Sequence, residues 1–260
     1  MLTAHSYRFT YFYPVRKLFL TAALLLVFLS SAFAQVPVMD TVRELMPDST
    51  VRVRAIRNTR VYYEAYVDQQ GLLHGTRTTY AANGFPNLVE SFRHGKKHGF
   101  FFYLGLDGYV EAMAQYYDDI PHGAWRKYYK SAALAEELNF NMGLKDGPVY
   151  RNFLSGKKQE VGFYSNNKRV GTNKWFFENG NLSTEYNYTD GKLDGGIKEY
   201  YENGNIKTEG NYLNDKRVGL WKTYHDNGKV ATEGSYTNGE AKGIWKTYDS
   251  EGKLIKTEKL

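Results

Sequence analysis

The chain has 260 residues and no cysteine, which excludes a disulfide framework and thiolate chemistry. Aromatic residues make up 16%, with 23 tyrosines, yet mean hydropathy is −0.57, so rings are set in a polar sequence as on a sheet with a wet face. Formal net charge is +6, but without Arg8, Arg16 and Lys17 of the first 34 residues the chain carries 31 Lys and Arg against 28 Asp and Glu. Basic and acidic residues are interleaved, so there is no one-sign stripe for nucleic acid and no polybasic patch to support a lipid surface.

Residues 1–34 read as a secretory signal peptide. Arg16 and Lys17 precede an apolar run over 18–29, and Ala32 and Ala34 supply the small-residue end that predicts cleavage before Gln35. An uncleaved anchor is the alternative, since the stretch approaches the roughly 17 to 20 residues that span a bilayer. The expectation is export, to the periplasm, the outer envelope or the medium. No cysteine follows the run, so a cysteine-linked lipid is excluded. Residues 35–50 hold two prolines and no sustained period, which predicts a linker or strap. Residues 51–74 form an irregular lead-in, where Val61, Tyr62, Tyr63, Tyr66 and Val67 predict a strand that caps the first regular unit.

From there to the C-terminus a glycine recurs every 24 residues: Gly75, Gly99, Gly123, Gly147, Gly171, Gly195, Gly219 and Gly243. A fixed period of this size marks a repeat array, so 75–260 divides into eight units. With each recurring glycine counted as position 0, a second glycine stands at position 9 in seven of the eight, Ala132 being the exception. Asn precedes it at Asn83, Asn179, Asn203 and Asn227. Asn-Gly between alternating runs predicts a two-residue type I′ hairpin loop, which needs positive φ at both residues.

In that register facing positions sum to 17. It sets Arg126 against Glu137, Lys174 against Glu185, Lys198 against Glu209 and Lys222 against Glu233, opposite charges in every case. A three-residue loop would set Trp221 against Glu233, a poorer match. Trp125, Trp221 and Trp245 at position 2 then share a face with the aromatic at position 17 (Phe92 to Tyr236). Position 17 faces position 0, so the expected cause of the glycine beat is a ring lying over bare backbone. The opposite face carries the Lys and Glu ladders with Tyr128, Tyr200, Tyr224 and Tyr248 at position 5. The fold class expected is all-β, an elongated open antiparallel sheet or solenoid of stacked hairpins, with roughly 16 strands over about 75 Å. Strand twist should coil it into a trough with part of the aromatic face uncovered.

A glycine before an aromatic, then Tyr-Tyr or similar, Asn-Gly, an aliphatic, Glu and Tyr, resembles the MORN-repeat-variant family of bacterial proteins. The pattern is fullest over 195–218 and 219–242, extends over 75–260, and loosens over 99–170. The resemblance implies stacked hairpins that mediate protein or membrane contacts, and some members are labelled antitoxin components, an assignment that the leader ending at Ala34 fits poorly.

No chemistry converges in the sequence. His74, His98 and His122 precede recurring glycines, with His94 close by, but equivalent positions of neighbouring units lie roughly 10 Å apart, too far to share one Zn²⁺ without other donors. They read as loop-edge polar residues. Asp118 with Asp119 and Glu136 with Glu137 are adjacent on strands and point to opposite faces. No nucleophile triad, phosphate loop or dinucleotide fingerprint occurs, so no catalytic, cofactor or metal residues are expected. Packing accounts for much of the aromatic ladder, and Trp125, Trp221, Trp245, Tyr128, Tyr200, Tyr224 and Tyr248 are the candidate binding surface. The expected function is an exported, non-enzymatic scaffold for a protein partner, with association through a free edge strand as a second mode. The alternative is a glycan or cell-wall module that stacks sugars on its rings; an antitoxin-like component ranks below both.

Overall fold

A computed structural model describes residues 39–260, so the leader expected over 1–34 and the start of the expected linker lie outside the described residues. The described chain forms one antiparallel sheet of 21 strands. Each strand pairs with the one before and the one after, apart from the two-residue pieces Ile120–Pro121 and Leu144–Lys145. Alternating side chains and glycine-bearing turns leave a 24-residue unit just long enough for two strands, and hairpins stack because a lone hairpin is marginal in water. Among the described residues, Asp40–Leu45 and Leu254–Lys259 end the sheet, each pairing on one side only and exposed along its whole length.

The pairing of Lys216–Tyr224 with Val230–Thr237 stands for all eight units. Gly219 is opposite Tyr236, Trp221 opposite Gly234, and Lys222 opposite Glu233, the register expected from the sequence. The loop that closes it differs from the expectation. Gly228 N–H donates to His225 C=O at 2.9 Å and His225 N–H to Lys229 C=O at 2.8 Å, which encloses three residues, Asp226, Asn227 and Gly228. Gly228 has a φ of +83°, whereas Asn227 has no positive φ, so this is a type I turn with a left-handed third residue and not a type I′ turn. The register survives because the loop is followed by a bulge: Thr223 pairs with Thr232 but Tyr224 with Val230, so Ala231 is extra. The same bulge recurs at that place in every unit.

Type I′ turns occur instead at the other end of the strands, where one unit passes to the next. Asn238 and Gly239 have φ of +56° and +94° between Thr237 and Glu240, which are paired. His94-Gly95, Asp118-Asp119, Met142-Gly143, Asn166-Asn167, Asp190-Gly191 and Asn214-Asp215 do the same, all with two positive φ values.

The cause of the glycine beat is also corrected. All eight recurring glycines have positive φ, from +63° at Gly171 to +109° at Gly147. Their pairing to the preceding strand skips there: Ser235 pairs with Lys242 and Glu233 with Lys246 around Gly243. Among the described residues, a Cβ at Gly171, Gly219 or Gly243 would meet no atom within 4 Å, so no ring of the array occupies that space. Rings do rest on other glycines. A Cβ at Gly210 would lie 2.2 Å from the Trp221 ring, and one at Gly234 would lie 2.1 Å from Trp245.

Buried side chains share one face. Phe101, Val149, Asn173, Ile197 and Trp221 occupy position 2; Glu160 occupies position 13; Glu90 and Ala114 position 15; and Phe92 position 17. Ring contacts run unit to unit through Phe92, Phe101, Tyr116, Trp125 and Phe140 at 4.7–5.8 Å, and again through Tyr212, Trp221, Tyr236 and Trp245 at 5.1–5.7 Å. Each such pair contributes about 0.5–1.5 kcal/mol beyond its area burial. Between the two ladders the face turns polar. Glu160, 1% exposed, accepts from Arg151 and Arg169, and Arg169 also donates to Asn173 Oδ1 at 2.7 Å, so the buried carboxylate is paired on both oxygens.

The lead-in is more regular than expected. Asp40–Leu45, placed by sequence in a linker over 35–50, is a strand against Val51–Arg57, with Val42 opposite Arg54 and Leu45 opposite Val51. A strand does form around Tyr62 and Tyr66, Arg60–Val67, which pairs with Leu73–Tyr80 of the first regular unit, but two further strands precede it. Its turn types are exchanged: a type I′ turn sits at Asn58-Thr59 and a three-residue loop closes between Asp68 and Leu72.

Candidate functional site

The seven residues singled out by sequence divide between two faces. Trp125, Trp221 and Trp245 lie on the buried face. Trp221 is 5% exposed, which corrects the expectation that it is an open platform. Its indole packs on Gly210 of the preceding unit, meets Tyr212 and Tyr236 edge-on, and lies 4.6 Å beneath the Arg217 guanidinium. Its Nε1–H donates to Asn211 C=O at 3.2 Å, as Trp125 Nε1–H does to Gln115 C=O at 3.3 Å. Trp125 and Trp245 are half-buried in the same ladder. Sequence reasoning took an exposed ring from parity alone and missed the covering residue, although Lys97, Arg169 and Arg217 recur two residues before recurring glycines.

Tyr128, Tyr200, Tyr224 and Tyr248 lie half-buried on the opposite face. There the hydroxyls tie units together: Tyr224 donates to Glu209 of the preceding unit at 2.5 Å and Tyr248 to Glu233 at 2.8 Å, while Tyr128 reaches Met113 Sδ. Burial, with Glu209 as acceptor, pushes the Tyr224 hydroxyl up to about 12. The Tyr248 hydrogen bond holds the Glu233 carboxyl below its ordinary value, helped by Lys246 and Lys222. Three of the four expected ion pairs form: Arg126 with Glu137 at 2.6 Å, Lys174 with Glu185 at 2.9 Å, and Lys222 with Glu233 at 4.0 Å. Lys198 stands opposite Glu209, whose Oε1 accepts from Tyr224.

The exposed apolar groups of this face were not singled out from the sequence. Position 1 holds Phe100, Leu220 and Ile244, 45%, 52% and 60% exposed. The signal was present, since position 1 has the parity of the Lys ladder and so faces away from the tryptophans. In the same row Gly196 has no side chain, which leaves a shallow recess of about 400 Å³. Glu185, Asn187, Lys198, Glu209, Lys222 and Leu220 surround it, both charge signs beside one aliphatic wall.

A comparison with curated proteins found no match to the chain. The family model described as MORN repeat variant matches residues 169–190, 193–214 and 217–238. These three units are MORN repeat variants. Each match starts two residues before a recurring glycine and ends on the first residue of a type I′ turn, so a MORN-variant unit corresponds here to one hairpin with its three-residue loop and bulge. The recess at Gly196 is formed wholly by the matched MORN-variant units. Units outside the match keep the same pairing, as in Gly99 opposite Tyr116.

The histidines expected as separate edge residues are only partly so. His98 Nδ1 is 3.1 Å from Asp118 Oδ1, and His122 Nδ1 accepts from Met142 N–H at 3.4 Å. His74 instead meets His94, with ring centroids 4.6 Å apart, and Asp68 joins them from the atypical loop before the first MORN-like unit. The equal spacing of His74, His98 and His122 hid this grouping, because Asp68 belongs to no repeat position.

Proposed function

We propose that the chain is an exported, non-enzymatic repeat scaffold that binds another protein of the cell envelope or its surroundings along the face bearing positions 1, 3 and 5. A scaffold role follows from the MORN-variant units, and the choice of face is supported by one observation: Phe100, Leu220 and Ile244 stand exposed beside ordered Lys, Glu and Tyr side chains. Apolar groups set among charges of both signs suit a polypeptide surface, which offers apolar anchors and paired charges at once. Of the tryptophans on which sugars would stack, Trp221 is closed, covered by Arg217 and Gly210. Export rests on the leader ending at Ala34.

The experiment compares the chain with a Leu220→Asp, Ile244→Asp double variant, both sites being exposed enough for the sheet to tolerate charge. Each is immobilised and challenged with envelope extract and, separately, with purified protein-free wall glycan. The expected result is a protein retained by the unaltered chain and lost by the variant. Equal retention by both, or retention on glycan alone, overturns the reading.

A further inference from the structure

The lead-in loop carries a cluster that the scaffold reading does not use. Asp68, His74 and His94 each offer a ligand atom, and these atoms all lie within 4.8 Å of one another. Asp68 is held in place by its own loop: Oδ1 accepts from Leu72 N–H at 2.8 Å and Gln70 N–H at 3.1 Å, which leaves Oδ2 directed at His94 Nδ1, 2.9 Å away. The Asp68 side chain is only 11% exposed, whereas that of His94 is 64% exposed on its turn. His74 Nδ1 is buried and meets no hydrogen-bond partner among the described residues. A buried ring nitrogen without a partner has a desolvation cost that a bound cation would remove.

We propose that Asp68, His74 and His94 form a binding site for a divalent first-row transition ion of the Zn²⁺ class. Two imidazoles and one carboxylate suit such an ion and leave a position for water. Tetrahedral Zn²⁺ with bonds of about 2.0–2.1 Å holds its ligand atoms roughly 3.4 Å apart, between the 2.9 Å from Asp68 to His94 and the 4.8 Å limit of the group, an adjustment that rotation of the exposed His94 side chain supplies. The backbone N–H groups on Asp68 Oδ1 act as the outer contacts that orient a ligating carboxylate. The three residues come from the loop that closes Arg60–Val67 onto Leu73–Tyr80, from that second strand, and from the first type I′ turn of the array. The ion would therefore staple the atypical end unit to the first regular one, where a repeat array lacks a neighbour on one side.

Calorimetric titration of the chain with Zn²⁺ tests this. His94→Asn is the informative variant, because Asn occupies the equivalent place in the turns at Asn214 and Asn238 and accepts the positive φ of +47° that His94 has. His74→Gln is the second variant and His98→Gln the control. The expected result is saturable one-to-one binding, weakened about tenfold or more in His94→Asn and His74→Gln and unchanged in His98→Gln, with a rise in Tm on adding Zn²⁺ that His94→Asn abolishes. Absence of saturable binding, or equal affinity in the His94→Asn chain, overturns the proposal.

Discussion

Gly219 stands opposite Tyr236 with a φ of +68°, and a Cβ placed on it would touch nothing within 4 Å. The demand on this residue is therefore conformational and not spatial. Gly210 is the reverse case, without a positive φ but with Trp221 lying where its Cβ would be. Gly219→Ala should cost about 1–2 kcal/mol for holding an L-residue in the left-handed region, and Gly219→Asn should cost less, because Asn visits that region. Urea unfolding of the two variants measures the order. Were room for the ring the reason, the bulkier Asn would cost more than Ala. The period fixed both the position of this glycine and its partner, while φ left no trace in spacing, so the sequence reading had the right pair and the wrong cause.

At the scale of the turn, the same dipeptide serves two ends. Asn238-Gly239 is a type I′ turn that uses positive φ at both residues, whereas Asn227 works through its side chain. Asn227 Oδ1 accepts from Lys229 N–H at 3.0 Å and Nδ2 donates to Ser250 C=O of the following unit at 2.7 Å. Asn203 donates likewise to Asp226 C=O and Asn179 to Glu202 C=O, so these residues bind successive loops together. Asn227→Gly should then lose about 0.5–1.5 kcal/mol, as should Asn227→Ala, while Asn238→Gly should cost only a few tenths because Gly-Gly also suits type I′. Thermal unfolding of the three variants checks the contrast. Asn-Gly identified a hairpin at Asn227 but could not say which kind, since a three-residue loop plus a bulge gives the same facing pairs as a two-residue loop. The Lys and Glu matches fixed the register for that reason and left the turn undetermined.

Across the array, what a single unit contains was legible and what its neighbours cover was not. Parity divided Trp221 from Tyr224 correctly, yet the burial of Trp221 depends on Gly210 and Arg217 at the border with the unit before, and the Asp68 group depends on a loop outside the period. The central claim is that 24 residues make one interchangeable pair of strands. Deleting 195–218 joins Asp194 to Gly219, which reproduces the junction of Asp194 with Gly195 and preserves the facing order of all remaining strands. Deleting 195–206 removes one strand and its loop, which reverses the direction of everything after it. Chemical unfolding of both deletions, followed by circular dichroism, is the most direct measurement: the 24-residue deletion should keep a β spectrum and a cooperative transition, and the 12-residue deletion should lose the transition. Loss of cooperative unfolding in the first, or its retention in both, would contradict the account.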